Sequence, residues 1–422
     1  MGAAEEILEQ APARIQQYRT AEILLKVVDG AGRPVPGAKV EVTQTRHEFL
    51  FGSNIFYWNR GSDEEIIPYR ENFAQLFNYA TLPFYWRRFE PERGQAIHEL
   101  IGQMIDWCQP RNITCKGHPL IWNHDASSPE WLPDDPQQTL ALCDARVAEE
   151  VGRYRGRINV WDVTNEAADC FRKESVDKRS YTGAVTKAWQ REGQVPFARR
   201  FFPIARQANP DATLLINDYR TDAAYQQLLR GLVDEAGRPV YDVIGIQSHM
   251  HGNYWGVEKT WEVCERFAEF GKPLHFTENT IISGAPRSGK KINWWGRADD
   301  WPTTPTGEKR QARNVAEFYT LLFSHPAVEA ITWFDFVDNA WLGAPGGLLH
   351  QDRTPKPAYL RLLRLIKRNW WTQTSARTDE AGNCAARAFY GDYEIKVRHN
   401  NSARVVKHRH AKSGEHALAI TV

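Results

Sequence analysis

Trp-Asp-Val-Thr-Asn-Glu-Ala, residues 161–167, is the stretch that decides how this chain folds. It continues a run of apolar and β-branched residues that starts at Ile158 and has the length of a buried parallel strand. In a barrel of parallel strands, residues at the carboxyl ends of the strands face the substrate cleft. Glu166 is therefore a candidate proton donor, and Asn165 a candidate partner for a substrate hydroxyl. By itself, an Asn-Glu pair is more often part of an ordinary surface loop, so the interpretation depends on the rest of the chain.

Strand and helix patterns alternate from about residue 46 to about residue 372. The predicted strands are Glu48–Gly52, Tyr79–Leu82, Thr114–Leu120, Ile158–Val163, Thr213–Asn217, Val243–Gln247, Leu274–Thr277 and Ala330–Phe334. The predicted helices are Leu100–Gln109, Leu140–Tyr154, Phe197–Ala208, Ala224–Glu235, Lys259–Phe270, Ala312–Ser324 and Tyr359–Asn369. This alternation predicts an α/β fold of the (β/α)8 TIM barrel type. A doubly wound open sheet is the alternative, but no glycine-rich phosphate loop follows the first strand, which also argues against nucleotide chemistry.

The two ends of the chain show a different pattern. Residues 21–28 and 38–45 alternate apolar and polar side chains around a Gly/Pro-rich turn, which predicts a β-hairpin. Residues 388–398, 403–407 and 417–422 show short strand patterns as well. Neither end has enough strands to bury a core alone. We therefore expect an N-terminal segment (1–47) and C-terminal strands (373–422) to form one accessory β-sandwich beside a barrel of residues 48–372.

The charge balance restricts the classes of partner that the protein can bind. Lys and Arg number 53 against 52 Asp and Glu, so no broad field attracts nucleic acid or an anionic membrane, and we expect a neutral partner and a monomer. No apolar run is long enough to span a membrane. The N-terminus lacks the features of a signal peptide, but a secreted protein deprived of its signal would look the same, and we expect a secreted or extracytoplasmic location.

The six cysteines predict mostly buried thiols, with Cys108–Cys115 the only locally plausible disulfide.

Polar residues follow several other predicted strands. They lie in residues 116–123, 217–219, 247–249, 275–279 and 331–341. The fourth and seventh strands of such a barrel lie opposite each other, so Glu166 and Glu278 can face each other across its mouth. Two carboxyl groups are the minimum for cleavage of a glycosidic bond. One must be protonated and the other ionised, so their surroundings must separate their pKa values.

These motifs resemble those of glycoside hydrolase family 10, the xylanase family. The resemblance runs through residues 117–122, 161–167, 217–219, 245–249, 277–278 and 347–359, in the order of the family. It implies that Glu166 is the general acid/base and Glu278 the nucleophile of a retaining glycosidase acting on a β-1,4-xylan-like polysaccharide, without metal or organic cofactor. It further implies that Asn165 holds the sugar 2-hydroxyl and that His249 keeps Glu278 ionised. The other implied substrate-binding residues are His118, Trp122, Tyr219, Gln247, Phe334 (where the family usually has Trp) and Trp341.

One motif departs from the family. After the second strand the family usually reads Thr-x-Glu-Asn-x-Met-Lys-Trp, whose Glu, Asn and Lys grip the glycone sugars. This chain has Leu82, Pro83, Phe84 and Tyr85 there, and Asn123 where the family commonly has His. Arg87, helped by Arg88, is a candidate to replace the lost contacts, which predicts a preference for branched or acidic polysaccharides. The alternatives are the same chemistry on another β-glycoside and an inactive carbohydrate-binding barrel, which would not need both carboxylates.

Three further groups of residues have more than one interpretation. Asp218 and Asp338 are more typical of loop-capping carboxylates than of catalytic ones. His408, His410 and His416 are expected on a solvated strand face rather than at a metal site. Trp294, Trp295 and Trp301, in a loop at about 282–307, stack on sugar or pack on the barrel rim.

Overall fold

The computed structural model describes residues 2–171, 183–287, 300–400 and 402–422. Within these ranges the strands are β1 Thr20–Val28, β2 Lys39–His47, β3 Leu50–Asn54, β4 Tyr79–Pro83, β5 Thr114–His118, β6 Val160–Asn165, β7 Thr213–Asp218, β8 Val243–Met250, β9 Leu274–Ile281, β10 Val328–Trp333, β11 Gln373–Arg377, β12 Asn383–Phe389, β13 Gly391–His399, β14 Ser402–His410 and β15 Ala417–Thr421. Strands β3 to β10 form a closed parallel barrel in chain order, with β10 pairing to β3. Each overlaps a predicted strand, so the predicted barrel is confirmed.

Helices follow the strands as a barrel requires. Those described are Ala3–Glu9, Ala11–Arg19, Asp63–Leu76, Trp86–Phe89, His98–Cys108, Pro136–Arg153, Ala184–Glu192, Gln194–Ala208, Ala223–Gly231, Gly256–Ala268, Pro305–Ser324 and Pro357–Arg364, the last continued by a π-turn at Leu365–Asn369. Asp135 caps one helix by accepting from the Gln138 amide at 2.8 Å, and the helix then opens with Pro136. The sequence patterns did not predict Asp63–Leu76, which carries Pro68 in its interior. Its Ser62–Glu65 capping box stabilises the start of this helix.

The strands at the two ends form two sheets, with the orders β12-β1-β15 and β11-β2-β13-β14. An apolar core shared by both ends of the chain lies between the sheets; it includes Ile23, Val27, Val40, Val42, Ile395 and Val397. The accessory sandwich is thus confirmed. The hairpin is not, because β1 pairs with β12 and β15, whereas β2 pairs with β11 and β13. The alternation of apolar and polar residues shows which side of a strand is buried, but it does not show which strand is its hydrogen-bonded partner. Two strands in opposite sheets of a sandwich have the same alternation as two strands paired in one sheet.

Buried polar groups join the sandwich to the barrel. Arg19, which ends the second N-terminal helix, donates to the carbonyl oxygens of Phe323 and Val328, both at 2.7 Å. The side chain of His47 lies on the same boundary, and burial lowers its pKa to about 3. Because charged and aromatic side chains cross this boundary, the barrel and the sandwich are packed together.

Two expectations about His and Cys residues need comment. His410 is fully buried beside Tyr393, so the expectation of a solvated face is wrong for this residue. It is the last residue of β14. The six cysteines are all free thiols, and Cys108 and Cys115 are both buried without a disulfide. In the described ranges, no helix combines the length and the apolar composition needed to cross a membrane.

Candidate active site

Glu166 and Glu278 lie at the same end of the barrel and belong to one hydrogen-bonded group. Asn217, at the end of β7, donates from Nδ2 to Glu278 Oε1 at 2.8 Å and to Asn165 Oδ1 at 2.8 Å. Gln247, on β8, donates from Nε2 to Glu166 Oε1 at 3.3 Å and approaches Asn165 Oδ1 at 3.4 Å. Both carboxylates are buried, with exposed fractions of 7% for Glu166 and 6% for Glu278. Asn217 and Gln247 both donate to Asn165, and through these contacts the structure brings four predicted residues together: Asn165, Glu166, Gln247 and Glu278.

Glu278 is held in its ionised form. His249 Nε2 lies 3.1 Å from its Oε2 and His118 Nε2 lies 3.7 Å from its Oε1. Burial alone would raise the pKa of Glu278, but the attraction of His118 and the hydrogen bond from His249 outweigh it, and the pKa lies below its ordinary value. A buried carboxylate that stays ionised is suited to attack an electron-poor carbon.

A second chain of polar groups runs from the cleft into the barrel. Tyr85 OH lies 3.2 Å from His118 Nε2, His118 Nδ1 lies 2.6 Å from Asp162 Oδ2, and Lys116 Nζ donates to the same oxygen at 2.8 Å. Burial would raise the pKa of Asp162, but Lys116 and His118 lower it below its ordinary value. Because the Asp162 carboxylate holds Nδ1, the ring of His118 is oriented so that Nε2 faces both Tyr85 OH and Glu278 Oε1.

Glu166 adopts a strained backbone. Its φ of 56° lies in the left-handed region, which residues other than glycine rarely occupy. Its amide donates to the Asn217 carbonyl at 2.8 Å, so the chain turns sharply where β6 ends. Strain of this kind persists where surrounding contacts over-determine the conformation, and it is concentrated at functional sites.

Aromatic rings line two sides of the cleft. Trp341 and Phe334 lie 4.3 Å and 5.2 Å from the ring centre of His249. On the other side, Trp122 stacks on His124 with 4.2 Å between ring centres. Tyr85 connects the sides, since its ring centre lies 5.4 Å from that of His118 and 6.0 Å from that of Trp122. Flat apolar faces of this kind suit the apolar faces of sugar rings.

Two predicted binding residues are engaged elsewhere. Tyr219 hydrogen-bonds Asp169 through its hydroxyl. Arg87 donates to Asp125 at 2.6 Å and also to Glu130, so two carboxylates already hold its guanidinium. Arg87 would have to leave both partners before it could hold an acidic sugar.

Comparison with known proteins identifies the family to which the chain belongs. Residues 45–365 match the model described as "Glycosyl hydrolase family 10". The chain belongs to this family. The family match covers the whole barrel, and Glu166, Glu278 and the residues that connect them lie within it.

Among characterised relatives, the family 10 chain is 25% identical over 399 residues to "Anti-sigma-I factor RsgI6" of Acetivibrio thermocellus, which covers 92% of the chain and 46% of that protein. It is 24% identical over 416 residues to "Endo-1,4-beta-xylanase 1" of Arabidopsis thaliana, covering 96% of the chain and 39% of that protein. The chain therefore spans less than half the length of these relatives. It covers 88% of "Endo-1,4-beta-xylanase B" of Thermotoga neapolitana, with 25% identity over 76% of its own length.

Solved structures support the fold. Xylanase 10B from Thermotoga petrophila in complex with xylobiose superposes with a TM-score of 0.58 at 24% identity, covering 76% of this chain and 95% of that chain. A family 10 structure from Paenibacillus barcinonensis gives 0.60 at 22% identity, covering 76% and 95%. These similarities place the present barrel among family 10 barrels.

Sequence reasoning missed several residues in or beside the cleft of this family 10 barrel. Asn217 lies within a quoted motif but had no predicted role, although its position at a strand end was the available signal. Asp162 and Lys116 are charged residues inside buried barrel strands, which is also a signal, since buried charges require partners. Tyr85 has a place in the sequence analysis only as one of the residues of the changed loop after the second strand. His124, two residues after Trp122, carried no signal.

The remaining expectations concern loops. Asp218 accepts from the amides of Ala168 at 2.8 Å and Arg220 at 2.9 Å, as a loop-capping carboxylate does. Asp338 accepts from the Gly347 amide at 2.8 Å and from Lys356 Nζ at 2.9 Å, again in a structural role.

Trp301 packs on the barrel rim. Its exposed fraction is 4%, its neighbours are Ile282, Leu342 and Ala344, and its Nε1 donates to the Ala285 carbonyl at 2.7 Å. Trp294 and Trp295 lie outside the described residues. A cavity of about 770 Å³ opens beside Trp301 and His350, but neither Glu166 nor Glu278 lines it.

Among the described residues, a single group has its possible metal-ligating atoms close together: His98, Glu149 and Glu150. His98 Nδ1 lies 3.0 Å from Tyr154 OH, and Glu149 already pairs with Arg153 at 2.7 Å. The group belongs to helices on the outside of the barrel and includes no residue of the cleft.

Proposed function

We propose that this chain is a retaining glycoside hydrolase that cleaves β-1,4-linked, xylan-like polysaccharide. Glu278 is the nucleophile and Glu166 the general acid/base. The observation that carries the proposal is that Glu278 has a lowered pKa although it is buried. Asn217 and His249 hydrogen-bond its carboxylate. The connected carboxylate, Glu166, lies at the end of β6, across the barrel from β9.

The reaction has two displacements. In the first, a Glu278 oxygen attacks the anomeric carbon while Glu166 gives its proton to the leaving glycosidic oxygen, and a glycosyl ester forms on Glu278. In the second, Glu166 takes a proton from water, and the water oxygen attacks the anomeric carbon and releases Glu278. Asn165 hydrogen-bonds the sugar 2-hydroxyl, and His249 and His118 stabilise the charge that returns to Glu278. The two carboxyl groups should lie roughly 5–5.5 Å apart, as this mechanism requires.

The substrate class rests on relatives. Proteins named endo-1,4-beta-xylanase match most of the chain, and one structural neighbour was solved with xylobiose. Polysaccharide is accordingly the proposed partner, and carboxylate chemistry of this kind needs no metal or organic cofactor. An extracytoplasmic location and a monomeric state remain part of the proposal.

A second candidate is the same chemistry on a different β-glycoside. The observation that favours it is the changed loop, where Leu82 and Phe84 are fully buried. Phe84 packs against Trp161 with 4.9 Å between ring centres, so neither side chain can contact a sugar. A carbohydrate-binding barrel without activity is disfavoured, because binding alone would not require a buried nucleophile with two histidines beside it.

The test is to incubate the purified chain with linear xylohexaose, branched glucuronoxylan oligomers and aryl β-glycosides. Retention should appear in the proton NMR spectrum as an initial product with the β configuration. An initial α product would refute double displacement. Comparing kcat/KM for linear and branched oligomers separates the two substrate candidates. Equal values would show that the changed loop has no effect on branch preference.

A further inference from the structure

Asp335 is a third buried carboxylate in the cleft, and the double displacement gives it no role. It follows β10, and its exposed fraction is 9%. Its φ is 62°, so it shares with Glu166 the left-handed backbone that glycine would adopt without strain. In the described part of the chain, the hydrogen bond found for its carboxylate is the one from Asn54 Nδ2 to Oδ1 at 3.0 Å. Its second oxygen therefore has no hydrogen-bond donor from these residues.

The neighbours of Asp335 place it beside the reacting groups. Burial raises the pKa of Asp335 to about 6, and the charge of Glu278 raises it further. The hydrogen bond from Asn54 and the charges of His249 and Arg60 lower this pKa but do not outweigh burial. Burial also raises the pKa of Tyr85, and the charges of Glu278 and Asp335 add to that effect. Phe334, the residue before Asp335, has its ring centre 5.2 Å from that of His249, and His249 Nε2 lies 3.1 Å from Glu278 Oε2.

Strands β10, β3 and β4 are adjacent, so their ends form one wall of the cleft. Asp335 follows β10, Asn54 is the last residue of β3 and Tyr85 follows β4. Phe56 completes the wall, with its ring centre 5.6 Å from Tyr85 and 6.1 Å from Phe334. The wall thus combines a carboxylate, an amide and a phenol with two apolar rings. This combination accepts and donates hydrogen bonds to sugar hydroxyls.

We propose that Asp335, supported by Asn54 and Tyr85, binds hydroxyl groups of the sugar on the glycone side of the cleaved bond. This inference rests on the proposed function. The free oxygen of Asp335 accepts from a sugar hydroxyl, and Tyr85 reaches the same sugar. The ligand class is a neutral pyranose with free hydroxyls, because a uronic acid at this position would place its carboxylate against Asp335 and Glu278. Acidic branches must therefore lie outside this subsite.

The test compares wild type with Asp335→Asn, which keeps the shape and removes the charge. The substrates are 4-nitrophenyl β-xyloside and its 3-deoxy and 4-deoxy analogues. For the parent substrate, Asp335→Asn should lower kcat/KM by about 10- to 100-fold, as expected when a hydrogen bond to a charged group is lost. For the analogue that lacks the contacted hydroxyl, the two proteins should agree within about threefold, since the contact is absent in both. An equal loss on all three substrates, or no loss, overturns the inference.

Asp335→Gly and Asn339→Gly form a matched pair. Both substitutions place glycine at a position after β10 where the backbone is left-handed, with φ values of 62° and 63°, and so relieve backbone strain. Both should hold or raise Tm, but only Asp335→Gly should lower kcat/KM. Equal kcat/KM in the two variants would count against a substrate contact.

Xylobiose binding, measured by calorimetry, separates failure of this inference from failure of the proposed function. If wild type cleaves no glycoside but binds xylobiose at least about tenfold more tightly than Asp335→Asn, the sugar contact stands and the activity does not. If wild type cleaves glycosides and the Asp335 variants match it, the activity stands and the contact does not.

Discussion

The cleft and the core of the accessory sandwich are both buried, yet they contain opposite kinds of residues. The sandwich core consists of apolar side chains such as Val40, Val42 and Ile395, all fully buried. At the carboxyl end of the barrel, Glu278 and Asp162 are buried as ions and Glu166 has a strained backbone. Burial of apolar surface stabilises a fold, whereas buried ions and left-handed residues cost stability unless partners compensate. The comparison separates a region built for stability from a region built for chemistry.

This difference predicts opposite responses to substitution. Changes in the cleft should reduce activity with little loss of stability, except where they leave a buried charge unpaired. Changes in the sandwich core should reduce stability and leave kcat unchanged at temperatures where the protein is folded. A cleft variant that unfolds without losing kcat would break the comparison.

The largest effect is expected for Glu278→Gln. Loss of the proposed nucleophile should lower kcat by about 10⁴- to 10⁶-fold, because no other group can form the glycosyl ester. The free energy of unfolding, measured in urea, should change by less than about 2 kcal/mol. Glu329→Gln, on β10, is the control and should retain wild-type kcat. Residual activity above about 1% of wild type would rule out Glu278 as the nucleophile.

Glu166→Ala should show a loss that depends on the leaving group. Natural oligosaccharides need protonation of the leaving oxygen, so their kcat/KM should fall by about 10²- to 10⁴-fold. Dinitrophenyl glycosides need no proton, and their first displacement should fall by less than about tenfold. Pre-steady-state release of dinitrophenol measures this step. The same loss on both substrate types would contradict the acid role.

Lys116→Met sharpens the comparison, because it removes one of the two partners of the buried Asp162 carboxylate and leaves only His118. The free energy of unfolding should fall by about 3–5 kcal/mol. Activity should fall as well, since Asp162 orients His118. Lys187→Met is the matched control, because Lys187 pairs with Asp134 at 2.9 Å but both side chains are exposed. It should cost about 0–1 kcal/mol. Similar losses for the two variants would show that burial is not the cause.

Ile395→Ala tests the sandwich side. Its fully buried side chain lies in the shared core, and removal should lower the free energy of unfolding by about 2–5 kcal/mol while kcat at 25 °C stays at the wild-type value. Val405→Ala, half exposed on β14, should cost less than about 0.5 kcal/mol. A drop in kcat for Ile395→Ala in folded protein would show that the sandwich influences the cleft.

The sequence by itself determined the barrel strands, their order and the terminal sandwich. Apolar runs of strand length separated by helical patterns have few solutions, and too few strands at each end require a common core. It also determined that Glu166 and Glu278 lie at one end of the barrel, since both follow the same rule of strand ends. These properties depend on periodicity and chain order, which can be read along the chain.

Only the tertiary structure decided which groups touch. It placed β1 and β2 in different sheets, buried His410 and paired Arg87 with Asp125 and Glu130. It also brought Tyr85 and Asp335 into one wall of the cleft. Asp335 is about 250 residues from Tyr85 in the chain, and no local pattern encodes their proximity. Strand partners and side-chain directions depend on how the barrel closes, because closure alone sets β10 next to β3.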